Sequence, residues 1–384
     1  MKILFLTLGD AESPNTWSNV PYFFLNSLRE RGGNEIVPID ISKFSWRYSL
    51  GLKMVEQFLK VVRRIAPGNP TYMACRTKMY QKAVEKNIRR AIREHEDADC
   101  LLSTNFSHSG ALLCSKKTCI FCDWPIDYLI EVMQHRVPGV LEKKSIERQK
   151  KEIEAADYVI SLFPDVQEYM EKKYNRKIYY LGNVINSEIR DFNADELIGK
   201  KHHGNYLFVG VKKYIQSAVS LCECIMKYNE CHGTNIEVDI IGLKTSDAAI
   251  FESKNIHCYG YLSKGDIEQA NRYYESLMHA KAIVNVTKNW NGMSSLIEAM
   301  YYETPIIVSV NPNLSKTFGT QFDGGLYCAD DTNAELYSKI EKMENLDLEQ
   351  YRDMCLCAYD AVKNFTWRKY AENVINILEN QCEV

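Results

Sequence analysis

A helix start rich in small polar residues is the feature of this sequence with the clearest capacity for chemistry. Residues 287–300 follow a predicted strand as a polar Asn–Gly loop and then a helix predicted to begin at Ser294 or Ser295. The first backbone N–H groups of a helix have no partner within the helix, and small side chains leave them open to an anion. The segment therefore predicts an anion site.

Glu298 lies four residues after Ser294, so the two share one face of the predicted helix. Its carboxylate could accept two hydrogen bonds from the diol of a ribose. A second interpretation is that Ser295 and Glu298 form a capping box, in which Glu298 only satisfies its own helix terminus. The spacing leaves both open, since a carboxylate has two oxygens.

A second candidate anion site follows the apolar run of residues 206–210. This run ends in Gly210 and leads through Lys212 and Lys213 into a predicted helix. Backbone N–H groups, a helix N-terminus and cationic side chains together can hold a diphosphate. The alternative is that both lysines are simply solvated. No GxGxxG or GxxxxGK[ST] motif occurs, which argues against a nicotinamide dehydrogenase and a P-loop enzyme.

Apolar runs alternate with helical patterns along the chain, and the pattern begun at residues 3–8 starts again at residues 206–210. Such alternation is typical of parallel strands covered by helices on both faces. The sequence therefore predicts an α/β protein of two doubly wound domains in tandem. Ligands of such sheets bind at the carboxyl ends of the strands, so we expect the active site in a cleft between the domains.

Composition supports a folded two-domain protein. The chain has 384 residues, of which 46% are hydrophobic and 25% charged, which excludes disordered and fibrous classes. With 47 Lys and Arg against 50 Asp and Glu, the net charge of −3 provides no global field for nucleic acid. The 13 cysteines and the lack of a signal-like start favour a cytoplasmic location. No apolar run reaches the roughly 18 residues that a spanning helix needs.

One segment departs from this balance. Residues 53–93 contain eleven Lys and Arg against two Glu, interleaved with apolar residues at helical spacing. A basic amphipathic surface on an acidic protein favours binding to anionic lipid headgroups. The alternative is that the segment forms a solvated pair of helices. Binding of nucleic acid is a third and less favoured interpretation.

Two patterns resemble metal sites but favour structural roles. Asp97 and Asp99 have Asp-x-Asp spacing, yet they precede a predicted strand, where a helix-to-strand turn is expected. Cys119 and Cys122 have the spacing of a zinc or redox pair, but they lie inside a predicted strand without a second CxxC.

Residues 298–300, followed by residues 304–307, resemble the "EAM-x-x-x-x-P-[IV]-[IV]" core of retaining glycosyltransferases of family 4, the group 1 glycosyl transferases of the GT-B fold. Further segments resemble this family in order over more than 150 residues: 206–210, 240–242, 257–261, 323–331 and 365–367. The resemblance implies an N-terminal acceptor-side domain (1–186), a linker (187–204), a nucleotide-sugar domain (205–364) and a helix returning to the first domain (365–384).

The resemblance also implies roles for individual residues. On the donor side it implies diphosphate, ribose or sugar contacts from Gly9, Ser18, Gly210, Lys212, Lys213, Tyr261, Asn291, Gly292, Ser294, Ser295 and Glu298. In the N-terminal half, His108 and Asp123 follow two segments similar to the cleft strands of the family, and they would orient the sugar and the acceptor.

The implied function is a metal-independent, retaining transfer of a sugar to a hydroxyl of a glycan or a lipid-linked acceptor, as in cell-surface polysaccharide synthesis. The donor would be a UDP- or GDP-linked sugar, and the enzyme would need no other cofactor and bind no nucleic acid. Its location would be cytoplasmic and peripheral to the inner face of the plasma membrane.

Three positions depart from the family. Trp290 replaces the first glutamate of the E-x7-E pair, and Val211 and Gln216 replace an arginine and a lysine. These replacements motivate an alternative in which the chain is a GT-B module that binds nucleotide sugars without catalysis. A nucleotide-sugar epimerase of similar shape is a further alternative.

Overall fold

The computed structural model describes residues 1–65, 68–185, 194–287 and 293–379. The chain divides into two compact units. We call Met1–Asn183 together with Trp367–Val384 the N-terminal unit, and Val184–Thr366 the C-terminal unit. No helix in the described residues combines the length and the apolarity that crossing a membrane requires.

The N-terminal unit is a parallel sheet covered by helices. Its strands are β1 (Lys2–Thr7), β2 (Glu35–Asp40), β3 (Cys100–Ser103), β4 (Lys117–Cys122), β5 (Tyr158–Ser161) and β6 (Tyr179–Tyr180). Its helices are α1 (Val20–Glu30), α2 (Trp46–Ile65), α3 (Lys78–Glu94), α4 (Ile126–Tyr128), α5 (Val140–Ala155), α6 (Pro164–Tyr174) and α14 (Trp367–Leu378). The strand order is β2-β1-β3-β4-β5-β6, and all pairs are parallel.

The C-terminal unit repeats this plan. Its strands are β7 (Tyr206–Val209), β8 (Val238–Ile241), β9 (Ile256–Gly260), β10 (Ala282–Asn285), β11 (Ile306–Ser309) and β12 (Gly325–Cys328). Its helices are α7 (Ala194–Lys201), α8 (Ile215–His232), α9 (Ile267–His279), α10 (Ser294–Tyr301), α11 (Pro312–Phe318), α12 (Asn333–Glu344) and α13 (Leu348–Val362). The strand order is β12-β11-β10-β7-β8-β9, again parallel. The prediction of two doubly wound domains is confirmed.

Strand order identifies the place where each unit can bind a ligand. In a doubly wound sheet, ligands bind beyond the carboxyl ends of the strands, where the winding changes direction. In the N-terminal unit this point lies between β1 and β3, and in the C-terminal unit between β7 and β10. Each unit therefore presents one loop cluster to a ligand.

Residues 194–201, within the predicted linker, form α7 in the C-terminal unit. Ile198 joins the core of that unit, and the Lys201 ammonium donates to Thr304 Oγ1 at 2.8 Å. These contacts make the start of the unit part of its packed structure.

The last helix, α14, completes the N-terminal unit. Trp367 stacks on Phe24 of α1 with ring centroids 5.1 Å apart, and Tyr370 meets Phe24 edge-on at 5.6 Å. Seven residues of α14 are buried, so its apolar face is part of the core of this unit.

Candidate functional site

The point where the winding of the C-terminal unit changes direction, which we call the C-terminal switch point, lies where β7 and β10 run side by side. Gly210 follows β7, and its amide donates to the Ile241 carbonyl at 3.0 Å. Gly242 adopts a φ of +97°, and a Cβ atom at this position would lie 2.2 Å from the Gly210 oxygen. Gly210 therefore permits close packing of two strand ends, while its amide is already used by the sheet.

Lys212 and Lys213 lie in a short 3-10 turn that leads into α8. Lys212 pairs with Asp247 at 3.1 Å but remains 76% exposed, and the Lys213 ammonium lies 5.3 Å from the centroid of the Tyr214 ring. Both lysines are exposed and lie in the loop that follows β7. Ser217 of α8 fixes the neighbouring strand end, because its hydroxyl accepts from Val286 N at 2.9 Å.

Helix α10 begins at Ser294 without a side-chain cap. Met293 occupies the cap position, and its carbonyl accepts the first helical bond from Ile297 at 3.0 Å. Ser294 is exposed and Ser295 is half-buried, so the amides of the first turn lie near the surface. Asn291 and Gly292 lie outside the described residues.

Glu298 is buried in an ion pair rather than bonded to its helix terminus. It is 1% exposed, and its two carboxylate oxygens accept from Lys264 Nζ at 2.7 Å and from the Tyr273 hydroxyl at 2.6 Å. The capping-box interpretation is wrong, because with Met293 at the cap the third helical residue is Leu296 and not Glu298.

Lys264 and Tyr273 are site residues that sequence reasoning missed. The Lys264 ammonium lies 4.6 Å from the Tyr273 ring centroid, which adds a cation–π contact to the ion pair. Burial, reinforced by the Glu298 charge, raises the pKa of Tyr273 well above its usual value. Tyr261, three residues before Lys264, is 77% exposed and contributes a free aromatic surface to the same loop.

In the N-terminal unit, Gly9 begins the loop after β1 with a φ of +104°. Its amide donates to Asp40 Oδ1 at 3.0 Å, and its carbonyl accepts from the Thr7 hydroxyl at 2.6 Å. Gly9 therefore shapes the loop, and its own polar groups are engaged.

Ser18 lies in a strained part of the same loop. Trp17, Ser18 and Asn19 have φ values of 38°, 53° and 69°, in the left-handed region that non-glycine residues rarely adopt. Backbone strain of this kind clusters at functional sites. The feature supports a ligand role for the loop.

A cavity of about 210 Å³ opens at the carboxyl ends of β3 and β4. His108 lines it, and burial together with the charge of Arg148 lowers the pKa of this imidazole to about 4. His108 is therefore neutral near pH 7, suited to hydrogen bonding rather than to charge stabilisation.

Asp123 does not line this cavity, whereas the flanking residues Cys122 and Trp124 do. Burial raises the pKa of Asp123 to about 6, with the Trp17 side chain acting in the opposite direction. A carboxyl group with this pKa can exchange a proton near neutral pH. The structure thus places Asp123 toward the strained loop and His108 in the cavity.

The metal-like patterns have structural roles. Asp99 accepts from the Lys2 amide at 2.7 Å, and Asp97 pairs with the Lys2 ammonium at 2.8 Å. Cys119 is buried within β4, and burial raises the pKa values of both Cys119 and Cys122. Within the described ranges, no group of three or more His, Cys, Asp or Glu side chains could hold a metal ion.

No protein-family model and no curated protein sequence matches the chain. Solved structures do match it over nearly their whole length. They include sucrose-phosphate synthase from Thermosynechococcus elongatus, at 11% identity, 99% coverage of both chains and a TM-score of 0.64. WaaG, a glycosyltransferase involved in lipopolysaccharide biosynthesis, matches at 12% identity, with 98% of this chain and 99% of that chain covered and a TM-score of 0.59. HepE from Anabaena, in complex with UDP and glucose, matches at 12% identity, 99% coverage of both chains and a TM-score of 0.60.

These similarities extend across both units and confirm the predicted GT-B fold. At such low sequence identity they establish the fold and leave the activity to be argued from the residues of this chain.

Proposed function

We propose that this protein is a glycosyltransferase that moves a sugar from a nucleotide-diphosphate sugar to an acceptor hydroxyl. The observation that carries the proposal is the C-terminal switch point, where the α10 start and the exposed lysines of the β7 loop flank one strand end. The GT-B fold, shared with glycosyltransferases along the whole chain, supports the same function.

In this proposal the diphosphate lies against the first turn of α10. The amides of Ser294 and Ser295 donate to its oxygens, and Lys212 and Lys213 contribute positive charge from the β7 loop. Glu298, with Lys264 bonded to it, faces the nucleoside and accepts from the ribose diol. A carboxylate can accept about four hydrogen bonds, so the contacts with Lys264 and Tyr273 leave capacity for a ligand.

The N-terminal unit would position the acceptor and the transferred sugar. His108, neutral and facing the cavity, would hydrogen-bond a sugar hydroxyl. Asp123, with a pKa raised to about 6, would interact with a hydroxyl whose proton is being lost. These assignments derive from the position of each residue at the ends of β3 and β4.

The chemistry proposed is stabilisation of a departing diphosphate by preorganised donors while the acceptor attacks the anomeric carbon. We propose that the configuration is retained and that lysine and helix-terminus charges serve in place of a metal ion. A UDP- or GDP-linked sugar is the donor class proposed.

The first experiment is a titration of the whole protein with UDP- and GDP-sugars, followed by analysis of products. Binding with transfer to an added acceptor, or with slow hydrolysis, supports a glycosyltransferase. Binding without turnover supports a noncatalytic nucleotide-sugar module. Release of free nucleotide together with a changed sugar supports an epimerase, and failure of every nucleotide sugar to bind contradicts all three.

The donor site is tested by Glu298→Gln, with Glu230→Gln on the exposed side of α8 as a matched control. Loss of two ribose hydrogen bonds to a carboxylate should weaken nucleotide binding by about tenfold or more. Unchanged affinity in the Glu298 variant would remove this residue from the site.

We also propose that the protein binds a membrane surface through α2. Exposed apolar residues recur along this helix at intervals of three or four, and we call them the apolar stripe: Trp46, Leu50, Met54, Phe58, Val61 and Ile65. Their exposed fractions reach 72% at Trp46, 67% at Phe58 and 79% at Ile65. A soluble protein rarely exposes so continuous an apolar surface without a partner.

Charge identifies the proposed partner as an anionic bilayer. Lys53, Lys60 and Arg64 are exposed on α2 beside the apolar stripe. The single carboxylate of α2, Glu56, is bonded to Arg63 at 2.7 Å and does not oppose them. Helix α3 carries six basic side chains against two carboxylates, which extends the positive surface. This is the arrangement of a helix that lies in the bilayer interface.

Vesicle sedimentation tests this surface. The wild-type protein should bind vesicles containing phosphatidylglycerol more tightly than vesicles of phosphatidylcholine alone. Phe58→Ser should weaken binding by about tenfold, since burial of a large apolar side chain contributes roughly 1.5–3 kcal/mol. Val137→Ser, at a comparably exposed site off this helix, is the control. Equal binding of the two variants, or self-association through α2, would contradict the proposal.

A further inference from the structure

Two arginines without carboxylate partners line the cavity of the N-terminal unit. Arg76 and Arg148 both belong to its wall, and neither forms an ion pair within the described part of the chain. Arg76 Nη1 is fully buried and has no hydrogen-bond partner there. Among the residues that the structure describes, Arg148 is bonded only through Nη2, which donates to Ser145 Oγ at 3.1 Å and to the Arg76 carbonyl. Several guanidinium N–H groups are therefore available to a ligand.

Two carboxylates near these arginines, Glu142 and Glu152 of α5, are already engaged. Glu142 accepts from both terminal nitrogens of Arg136, at 2.7 and 2.8 Å, and from the Thr71 amide and hydroxyl. Glu152 accepts from the Ser109 amide at 3.1 Å and from its hydroxyl. Neither Arg76 nor Arg148 thus has a carboxylate hydrogen-bonded to its guanidinium within the described residues.

Burial makes this arrangement costly without an anion. Burial lowers the pKa of Arg76, which shows that its charge is poorly solvated. A buried charge is normally paired or hydrogen-bonded, and Arg76 lacks both kinds of partner here. The protein therefore carries a cost that a bound anion would remove.

The rest of the wall is neutral and fixed. Gln149 accepts from the Ile126 amide at 2.6 Å and donates to Ser107 Oγ at 2.7 Å, which holds the loop after β3 in place. His108 is neutral near pH 7. At about 210 Å³ the cavity is smaller than typical pockets for whole small molecules, so it suits one group of a larger ligand.

The segment that carries Arg76 is also held against α2. Glu56 of α2 accepts from Ala74 N at 2.7 Å, and Arg63 of α2 donates to the Tyr72 carbonyl at 2.5 Å. The cavity wall and the helix with the apolar stripe are therefore one connected piece of structure.

We propose that Arg76 and Arg148 bind a phosphoryl group of the acceptor in this cavity. Guanidinium groups donate paired hydrogen bonds to phosphate oxygens. Two such groups without a carboxylate partner match a phosphate monoester, which carries roughly −1.5 to −2 near pH 7, better than they match a single carboxylate. That the phosphoryl group belongs to the acceptor rests on the proposed glycosyltransferase function, whereas binding of a phosphate in this cavity does not. The phosphoryl group can belong to a lipid headgroup or to a soluble sugar phosphate.

Calorimetric titration of the whole protein tests the proposal. The probes are inorganic phosphate, a hexose phosphate and a short-chain phosphatidylglycerol below its micelle concentration, with glucose and glucuronate for comparison. Phosphate-bearing probes should bind and glucose should not. Arg76→Gln and Arg148→Gln should each weaken binding by about tenfold, and Arg148→Lys should weaken it less. Arg93→Gln, at an exposed position of α3, should have no effect.

Tighter binding of the hexose phosphate identifies a soluble acceptor, and tighter binding of the phospholipid identifies a lipid acceptor; both support the site. Failure of the wild-type protein to bind any phosphate, preference for glucuronate, or equal affinity of all variants would overturn it. Circular dichroism confirms that each variant is folded. Nucleotide titration of the same variants separates the phosphate site from the proposed nucleotide-sugar site. A variant that loses affinity for phosphate and keeps its affinity for nucleotide has lost the phosphate site of this cavity alone.

Discussion

Replacement of Glu298 by Gln should destabilise the C-terminal unit as well as reduce nucleotide binding. Glu298 is 1% exposed, and its ion-pair partner Lys264 has a side chain that is 15% exposed. Removal of one member of a buried ion pair costs about 3–5 kcal/mol, because the remaining charge loses a buried partner of opposite sign. Lys264 keeps some contact with solvent and with the Tyr273 ring, so we expect a loss of about 2–3 kcal/mol.

For a unit of this size such a loss lowers the melting temperature by roughly 5–10 °C. Scanning calorimetry on the whole protein measures the transition of the C-terminal unit. Lys264→Met combined with Glu298→Gln should cost less than the two single changes together, since the double variant removes both charges of the ion pair. Tyr273→Phe keeps the ion pair and should cost about 1–2 kcal/mol.

A Glu298→Gln protein whose unfolding free energy lies within about 0.5 kcal/mol of the wild type would refute this reasoning. The carboxylate would then be solvated, and the pairing with Lys264 and Tyr273 would not describe the protein in solution. In that case a change in nucleotide affinity would reflect direct contact only.

Four further predictions concern stability. Trp367→Ala should destabilise the N-terminal unit by about 3–5 kcal/mol in urea unfolding, because it removes a buried ring from the contact between α14 and α1; an unchanged midpoint would contradict that packing. The pKa of His108 is lowered to about 4 from its usual 6.5, so its contribution to stability is present above pH 6.5 and lost as the pH falls through about 4, and His108→Gln should flatten the acid side of a stability profile. The raised pKa of Asp123 acts in the opposite sense: its contribution is present below about 3.8 and lost as the pH rises through about 6, so Asp123→Asn should raise the melting temperature near pH 8 and leave it unchanged near pH 3. Gly242→Ala should lower the melting temperature of the C-terminal unit, since its φ of +97° and the 2.2 Å approach of its Cβ to a backbone oxygen leave no room for a side chain; wild-type stability would show that the strand ends can separate freely.

The sequence was sufficient to predict the elements that depend on local pattern. The apolar runs at residues 3–8 and 206–210 correspond to β1 and β7 of the structure, because a buried apolar run is a property of neighbouring residues. The repeat of strand, loop and helix also predicted the doubly wound architecture, since this alternation leaves few other topologies.

Contacts between distant residues could not be predicted in the same way. Lys264 and Tyr273 lie 34 and 25 residues from Glu298 in sequence, and only the packing of α9 against α10 brings them together. The capping-box interpretation failed because α10 begins at Ser294, two residues earlier than a helix capped by Ser295 would begin, so Glu298 is its fifth residue and not its third.

The amphipathic pattern of residues 53–65 predicted the helix α2 but not which of its apolar side chains are buried. The sequence predicted a basic helix with apolar residues, but it could not indicate which of those residues are covered by the protein. In the structure only Leu59 of this helix is fully buried, and the rest of its apolar surface is half-buried or exposed. Tertiary packing, which depends on the neighbouring segment at residues 72–76, decides the outcome.

The placement of α14 in the N-terminal unit has a consequence for biosynthesis. The ribosome synthesises the entire C-terminal unit before residues 367–378, and the N-terminal unit needs these residues to complete its core. The C-terminal unit can therefore fold first during translation. The N-terminal unit can complete its core only after α14, which packs against α1, has been synthesised.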